Sequence, residues 1–234
     1  MAYPFESLGG GIVAAVDEHC RISEDGLLLA RFAAPTPEDV ACDLGSGNGI
    51  IPLYWCRRRP PAHITAVERE AAFAALAQAA ITRCGLHDRI TLLCADWNNK
   101  TAMPPASSMT LVTCNPPYFP FGASRPSPDP LRAAARQEDS ADMLNRLCVA
   151  AARLLTPQGR FCLCHRSERL ADVFRALDNA GLTPVRLQWV QANDGAAPWL
   201  VLIEAARAGS LRVLPPLVTQ TRGTHTAVYK NLYR

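Results

Sequence analysis

The chain has 234 residues, 49% hydrophobic and 19% charged, an ordinary soluble composition long enough for one sizeable core. A formal net charge of +3 and a pI near 8.4 permit a nucleic-acid partner without demanding one. The start carries no basic-then-apolar leader and no stretch reaches the roughly 20 apolar residues of a spanning helix, so the expectation is a cytoplasmic protein with no membrane partner.

Nine cysteines raise the question of zinc or disulfides, but there is no Cys-x-x-Cys pair and the five histidines show no ligand spacing. No metal is expected. Cys42, Cys94, Cys114, Cys162 and Cys164 lie singly or as a close pair in apolar runs and are read as buried, reduced thiols.

In chain order, an extended piece leads into a short apolar helix within Arg21 to Phe32, with Ser23 or Asp25 as its cap and Pro35 and Pro37 closing it off. Asp25 need be no more than a cap, although residues 1–39 can also form an extension that covers a cofactor mouth. Val40 to Leu44 then reads as a strand entering Gly45-Ser46-Gly47-Asn48-Gly49, with a helix starting near Ile50. Such glycines let the backbone turn sharply and approach a ligand. The dinucleotide fingerprint needs Gly where Ile50 stands, and Asp43 before the loop is foreign to it. A carboxylate at position 43 suits loop organisation, or a cationic or amine group such as the methionine end of S-adenosylmethionine.

A second strand, His63 to Val67, ends in Glu68, about twenty residues past the glycines, where a carboxylate can bond two ribose hydroxyls. Taken singly Glu68 reads as a solvated charge; beside Asp43 and the Gly loop it reads as a ligand residue. An Ala-rich helix from Glu70 to Cys84 stops at Gly85, and a third strand, Arg89 to Ala95, ends in Asp96-Trp97, an acid and a ring able to hold and stack an adenine, or merely a loop acid.

The fourth strand, Thr110 to Cys114, runs into Asn115-Pro116-Pro117-Tyr118. In this group the Asn115 side-chain oxygen and the Pro116 carbonyl can each accept one N–H of a conjugated amine, making its lone pair available. Pro116 and Pro117 hold the backbone, and Tyr118 can stack on the flat group carrying the amine. Beyond it, Pro120 to Pro130 forms a Pro- and Ser-rich loop, and Arg125, Arg132 and Arg136 are candidate phosphate contacts or solvated surface. A helix from Ala141 to Leu155, a fifth strand from Arg160 to His165, a helix from Arg169 to Ala180 and two strands, Pro184 to Gln191 and Trp199 to Ala205, complete the pattern. The last two are joined by Asn193-Asp194-Gly195, a hairpin signal. After Glu204 the chain has no acidic residue, but Lys230 and several arginines are interleaved with Tyr229 and Tyr233, either a docked tail or an RNA-tracking segment.

Acidic strand ends around a Gly-rich loop, followed by a strand ending in Asn-Pro-Pro-Tyr, resemble the class I S-adenosylmethionine-dependent methyltransferases that modify conjugated amino groups. More narrowly, Arg21 to Phe32, Asp43 to Leu53, Asn115 to Phe119 and Thr224 to Tyr233 look like the bacterial valine-tRNA adenine-37 N6-methyltransferase family. The resemblance implies a Rossmann-like α/β fold, with a seven-stranded, mostly parallel sheet, helices on both faces and an antiparallel last strand. It divides the chain into an N-terminal extension (1–39), a methyltransferase domain (40–206) and a basic C-terminal extension (207–234). S-adenosyl-L-methionine is the implied cofactor and the anticodon loop of tRNA, that of valine tRNA, the implied partner of a monomer or weak dimer. Asp43, Gly45, Gly47, Asn48, Glu68, Asp96, Trp97 and Asn115 are the expected cofactor residues. Asn115, Pro116, Pro117 and Tyr118 are expected to carry the target base, and Arg125, Arg132, Arg136 and Lys230 the RNA. One departure is visible at Gln137, where the family usually has His. The rivals are glutamine methylation of a release factor, whose enzymes carry a helical domain ahead of the Gly loop, DNA adenine methylation, and a non-catalytic binding module.

Overall fold

The computed structural model describes residues 3–57, 60–118, 131, 140–221 and 223–233. A hairpin of β1 (Phe5–Gly9) and β2 (Ile12–Ala15) precedes α1 (Glu24–Ala33), which begins where the Ser23 hydroxyl accepts the Gly26 N–H at 3.2 Å. Ser23 is therefore the cap, and Asp25 stands in the first turn. Strands and helices then alternate: β3 (Val40–Leu44), α2 (Ile50–Trp55), β4 (His63–Glu68), α3 (Ala71–Cys84), β5 (Ile90–Cys94) and β6 (Met109–Cys114). They continue as α4 (Met143–Leu154), β7 (Leu155–Arg166), α5 (Leu170–Asn179), β8 (Thr183–Gln191), β9 (Leu200–Ala206) and β10 (Arg212–Val218). The short pair β11 (Gln220–Thr221) and β12 (Thr224–His225) precedes the single-turn helix α6 (Ala227–Lys230).

The main sheet has the order β10-β8-β9-β7-β6-β3-β4-β5. Strands β3 to β7 pair in parallel, and β9 runs antiparallel to both β7 and β8, as the Asn-Asp-Gly hairpin signal implies. The seven expected strands are present, and β10 adds an eighth at the edge, parallel to β8. Residues 212–218 of the expected C-terminal extension thus continue the sheet. Pro215 and Pro216 hide this strand from a sequence reading, because proline removes ladder donors. At an edge they are tolerated, and the register slips where they stand, between Leu214 and Leu217.

Strand pleating assigns the two faces. Ala41, Ile64, Ala66, Leu111, Cys162 and Leu202 pack with α1, α2, α3 and β2, while Cys42, Leu44, Val112, Phe161, Leu163 and Ile203 pack with α4 and α5. Most central-strand residues are therefore apolar on both sides. Cys42, Cys114, Cys148, Cys162 and Cys164 are buried free thiols. Cys94, expected to be buried, is exposed, because β5 is an edge strand. Among the described residues no helix is long and apolar enough to cross a membrane, and no group of three or more His, Cys, Asp or Glu could hold a metal ion.

Asp39, just before β3, ties that strand to its parallel neighbours β6 and β7. Its carboxylate accepts the Thr110 hydroxyl (2.6 Å), the Thr36 N–H (2.8 Å) and both ends of the Arg160 guanidinium (3.1 and 2.8 Å). Burial raises the pKa of this carboxyl, but those donors, Arg160 foremost, outweigh it and bring it down to about 2. A depressed folded value stabilises the protein above the unfolded pKa. That share, about 2 kcal/mol, is present above about pH 4 and is lost as pH falls toward 2. Asp39→Asn is expected to flatten the acid limb of stability in urea titrations between about pH 6 and pH 2.5; identical limbs in both proteins would remove the assignment.

Candidate active site

From β3 the chain continues to β4 on one side, while from β6 it continues to β7 on the other, although β3 and β6 are neighbours. Their outgoing loops diverge, and a crevice opens at this switch point beyond the strands' carboxyl ends. Pleating puts Asp43, Glu68, Thr113, Asn115 and Cys164 in phase with the residues facing α1–α3. A cavity of about 770 Å³ lies there. Asp43, Gly45, Gly47, Asn48, Glu68, Trp97, Asn115, Pro116, Pro117 and Tyr118 all line it, and Glu18, Cys20, Arg21, Ser23 and Asp25 from the N-terminal segment form one wall.

The Gly loop turns back on itself: the N–H groups of Gly45 and Ser46 both donate to the Val67 carbonyl at 2.9 Å, with Gly45 at φ 70° and Gly47 at φ 58°. These left-handed conformations favour glycine, and a Cβ on Gly45 would meet no protein atom within 4 Å. Asp43, 1% exposed, accepts the Thr113 hydroxyl (2.6 Å) and the Ser46 hydroxyl (2.8 Å), so its direct work is to hold loop and strands together. Burial pushes its carboxyl up to about 7, with the charge of Glu68 adding to the rise and the two hydroxyls opposing it. Glu68 accepts the Gly47 N–H (2.7 Å) on one oxygen and the Glu70 N–H (2.8 Å) on the other, and burial raises its pKa. Each oxygen keeps a second lone-pair direction. The Asn48 amide donates to the Ala15 carbonyl at 3.0 Å, tying the loop to the N-terminal hairpin.

Asp96 is not among the lining residues. Its Oδ1 accepts the backbone N–H (2.8 Å) and the side-chain amide (2.9 Å) of Asn98, forming the turn that carries Trp97. Lys230 is exposed on α6 and does not line the cavity. Arg125, Arg132, Arg136 and Gln137 lie outside the described residues.

At the end of β6, the Asn115 side-chain oxygen accepts the Tyr118 O–H at 2.6 Å and the Cys164 S–H at 3.1 Å, while its amide nitrogen donates to Ser23 Oγ at 3.4 Å. The Tyr118 ring lies 5.2 Å from the His165 ring, tilted by 57°, and the Arg166 guanidinium stands 5.2 Å from its centroid. The expected group is assembled, but the Tyr118 hydroxyl is turned onto Asn115. The sequence did not single out Thr113, Cys164 or Arg166 for the site, whereas the segment that carries Ser23 and Asp25 was expected as a cover of the cofactor mouth. Thr113 was discoverable, since a residue two before Asn115 on a strand shares its face.

The family model of the methyltransferase small domain matches residues 23–178. A protein of Porphyromonas gingivalis named tRNA1(Val) (adenine(37)-N6)-methyltransferase is 30% identical over 190 residues, covering 79% of this chain and 73% of the relative. The chain belongs to this methyltransferase family. A relative of the same name from Bacteroides thetaiotaomicron is 27% identical over 216 residues, 92% of this chain and 89% of the relative. In fold, this methyltransferase is similar to the crystal structure of a predicted O-methyltransferase of Agrobacterium tumefaciens. The TM-score is 0.70 at 21% identity, covering 89% of this chain and 95% of that one. S-adenosyl-L-methionine is its cofactor. The cavity fits such a ligand: a Gly turn with open space where a Cβ would stand, a buried carboxylate with spare acceptor directions, and an indole on the wall.

Proposed function

We propose that this methyltransferase transfers a methyl group to the exocyclic N6 of adenine 37 in the anticodon loop of valine tRNA. The observation that carries this reading is Asn115-Pro116-Pro117-Tyr118 at the end of β6, on the same cavity as the Gly loop and Glu68. The names of the relatives support the substrate.

Glu68 accepts the hydroxyls of the cofactor ribose with its remaining lone pairs, and the Gly45–Gly47 backbone comes close to the ligand because no side chain intervenes. Asp43 keeps that loop in register, Asn48 anchors it, and Trp97, on the turn ordered by Asp96, offers a face to the cofactor's adenine. The wall formed by residues 18–25 supports a covering role for the N-terminal extension. When bound, S-adenosyl-L-methionine supplies an electrophilic methyl carbon.

The target adenine is splayed out of the loop against Tyr118. Asn115 Oδ1 and the Pro116 carbonyl accept the N6 hydrogens, drawing the nitrogen out of conjugation. No residue acts as a base beforehand, since the N6 proton becomes acidic only after nitrogen has gained the methyl. Catalysis is positioning and hydrogen bonding. Lys230, with Arg125, Arg132 and Arg136, contacts RNA phosphates. The protein acts in the cytoplasm as a monomer or weak dimer.

The test is nucleoside mass spectrometry on unmodified valine tRNA, on the same transcript with guanine at position 37, and on release factor and DNA, each incubated with isotope-labelled S-adenosyl-L-methionine. Labelled N6-methyladenosine confined to the first tube is the expected result. Label in glutamine of the release factor, or in DNA, overturns the substrate.

A further inference from the structure

Carboxylates outnumber cations on the cavity wall, where Glu18, Asp25, Asp43, Glu68 and Glu70 stand with Arg21, Arg69 and Arg166. Two of the cations are engaged elsewhere: Arg69 pairs with Glu70 at 3.2 Å, and Arg21, 72% exposed, turns to Glu6 at 4.0 Å. Arg166 forms no ion pair among the described residues. Its guanidinium stands against two rings instead, 5.2 Å from the Tyr118 centroid and 5.7 Å from that of Trp199. Such contacts use the charge and the flat face, and they leave the N–H edges, a fixed fork of donors, for an oxyanion. The fork is firmly mounted. Arg166 pairs with Leu200 at the end of β7, Ser167 Oγ donates to the Pro198 carbonyl at 2.5 Å, and the Trp199 N–H donates to the Val190 carbonyl at 3.0 Å. A group held this way loses little freedom when a ligand arrives.

The strand order tells which anion it faces. Along the carboxyl ends run β4 with Glu68, β3 with the Gly loop, β6 with Asn115 and β7 with Arg166. With neighbouring strands about 4.8 Å apart, the end of β7 is roughly 14 Å from that of β4. Arg166 thus lies beyond the amine site from the cofactor's proposed anchors, on the side where substrate enters. A nucleotide whose base lies against Tyr118 brings its own flanking phosphates to this place, and a guanidinium fork matches a phosphate. We infer that Arg166 binds a backbone phosphate flanking the target adenosine, with Tyr118 and Trp199 holding its guanidinium in place. The inference rests on the proposed RNA substrate and adds to it the contact that fixes the target nucleotide's backbone. The other oxyanion of the reaction is the methionine carboxylate of the cofactor, and the arms of the test separate the two.

Binding of a valine-tRNA anticodon stem-loop is measured by fluorescence anisotropy over a range of salt, with Kd for S-adenosyl-L-methionine by calorimetry and Tm alongside. Arg166→Gln is expected to raise the RNA Kd about tenfold or more and to reduce the slope of log Kd against log salt by about 0.7 to 0.9, one phosphate's share, with cofactor Kd within about twofold of wild type. Arg166→Lys keeps the charge without the fork, so it should keep the slope and recover only part of the affinity. The decisive arm changes the RNA, by an uncharged methylphosphonate linkage on the 5′ or the 3′ side of the target adenosine. One of these should weaken wild-type binding as much as Arg166→Gln does and weaken the variant no further, whereas a linkage placed in the stem has the same effect on both proteins. An unchanged RNA Kd and slope would make Arg166 a strut between two rings, a raised cofactor Kd would give it to the cofactor carboxylate, and losses that multiply would put the phosphate elsewhere; each overturns the inference. If Arg166→Gln lowers Tm sharply, wild-type protein with the two modified RNAs decides, and tolerance of both linkages is the overturning result. Label confined to release factor or DNA is instead the failure of the substrate, read in the mass spectra, and takes the inference with it; label in tRNA with both linkages tolerated is the failure of the inference alone.

Discussion

Asn115→Ala is expected to reduce turnover by about two to three orders of magnitude while leaving the dissociation constant of S-adenosyl-L-methionine within a few-fold of wild type. The reason lies in the geometry at the end of β6. In the proposed function the side-chain oxygen of Asn115 is the acceptor that holds the target nitrogen in a reactive shape, and alanine has nothing to replace it. The cofactor's proposed anchors, Glu68 and the Gly45–Gly47 turn, are on β4 and the loop after β3 and do not depend on Asn115. After the substitution the Tyr118 hydroxyl and the Cys164 thiol still face each other at 3.3 Å and Tyr118 lines the cavity, so the fold should be retained. Single-turnover kinetics with labelled cofactor, isothermal calorimetry and a thermal melt measure the three quantities. Turnover within threefold of wild type would remove Asn115 from the chemistry.

Glu68→Ala should give the opposite split: cofactor Kd raised about tenfold to a hundredfold, with turnover at saturating cofactor much less affected. The side chain is 6% exposed and serves two purposes at once. It accepts the Gly47 and Glu70 N–H groups, which shapes the loop, and in the proposed function it offers its remaining lone pairs to the ribose. Glu68→Gln distinguishes these uses. It keeps one acceptor oxygen but turns an amide N–H toward one of the two backbone donors, so Kd should lie between those of wild type and Glu68→Ala. An unaltered Kd in Glu68→Ala, measured by calorimetry, would argue against the ribose role.

The order of elements and most of the residues that line the cavity were legible because they rest on local signals. Short apolar runs ending in Asp43, Glu68, Asp96 and Asn115 mark strands and their carboxyl ends, and glycines at 45 and 47 mark a backbone that must adopt positive φ. The eighth strand was not legible, since Pro215 and Pro216 argue against a strand unless it is known to lie at an edge. Cys94 was misread for the same reason: burial of an apolar run depends on whether a neighbour covers it, and β5 has none on its outer side.

The sequence by itself therefore determined the alternation of strand and helix, the family, and the residue types that cofactor and amine chemistry require, since each is written within a few consecutive positions. The tertiary structure alone decided who touches whom. It set the Asn115 amide against Ser23, the Tyr118 hydroxyl against Asn115, and Cys164 behind them, groups brought together from the N-terminus of α1, the loop after β6, and β7. Those contacts span 46 to 92 residues along the chain between Asn115 or Tyr118 and their partners Ser23 and Cys164. No periodicity or cap rule extends so far. Only the strand order that puts β6 beside β7, and the packing of α1 on that face of the sheet, bring Ser23 and Asp25 onto the same cavity as Asn115 and Tyr118.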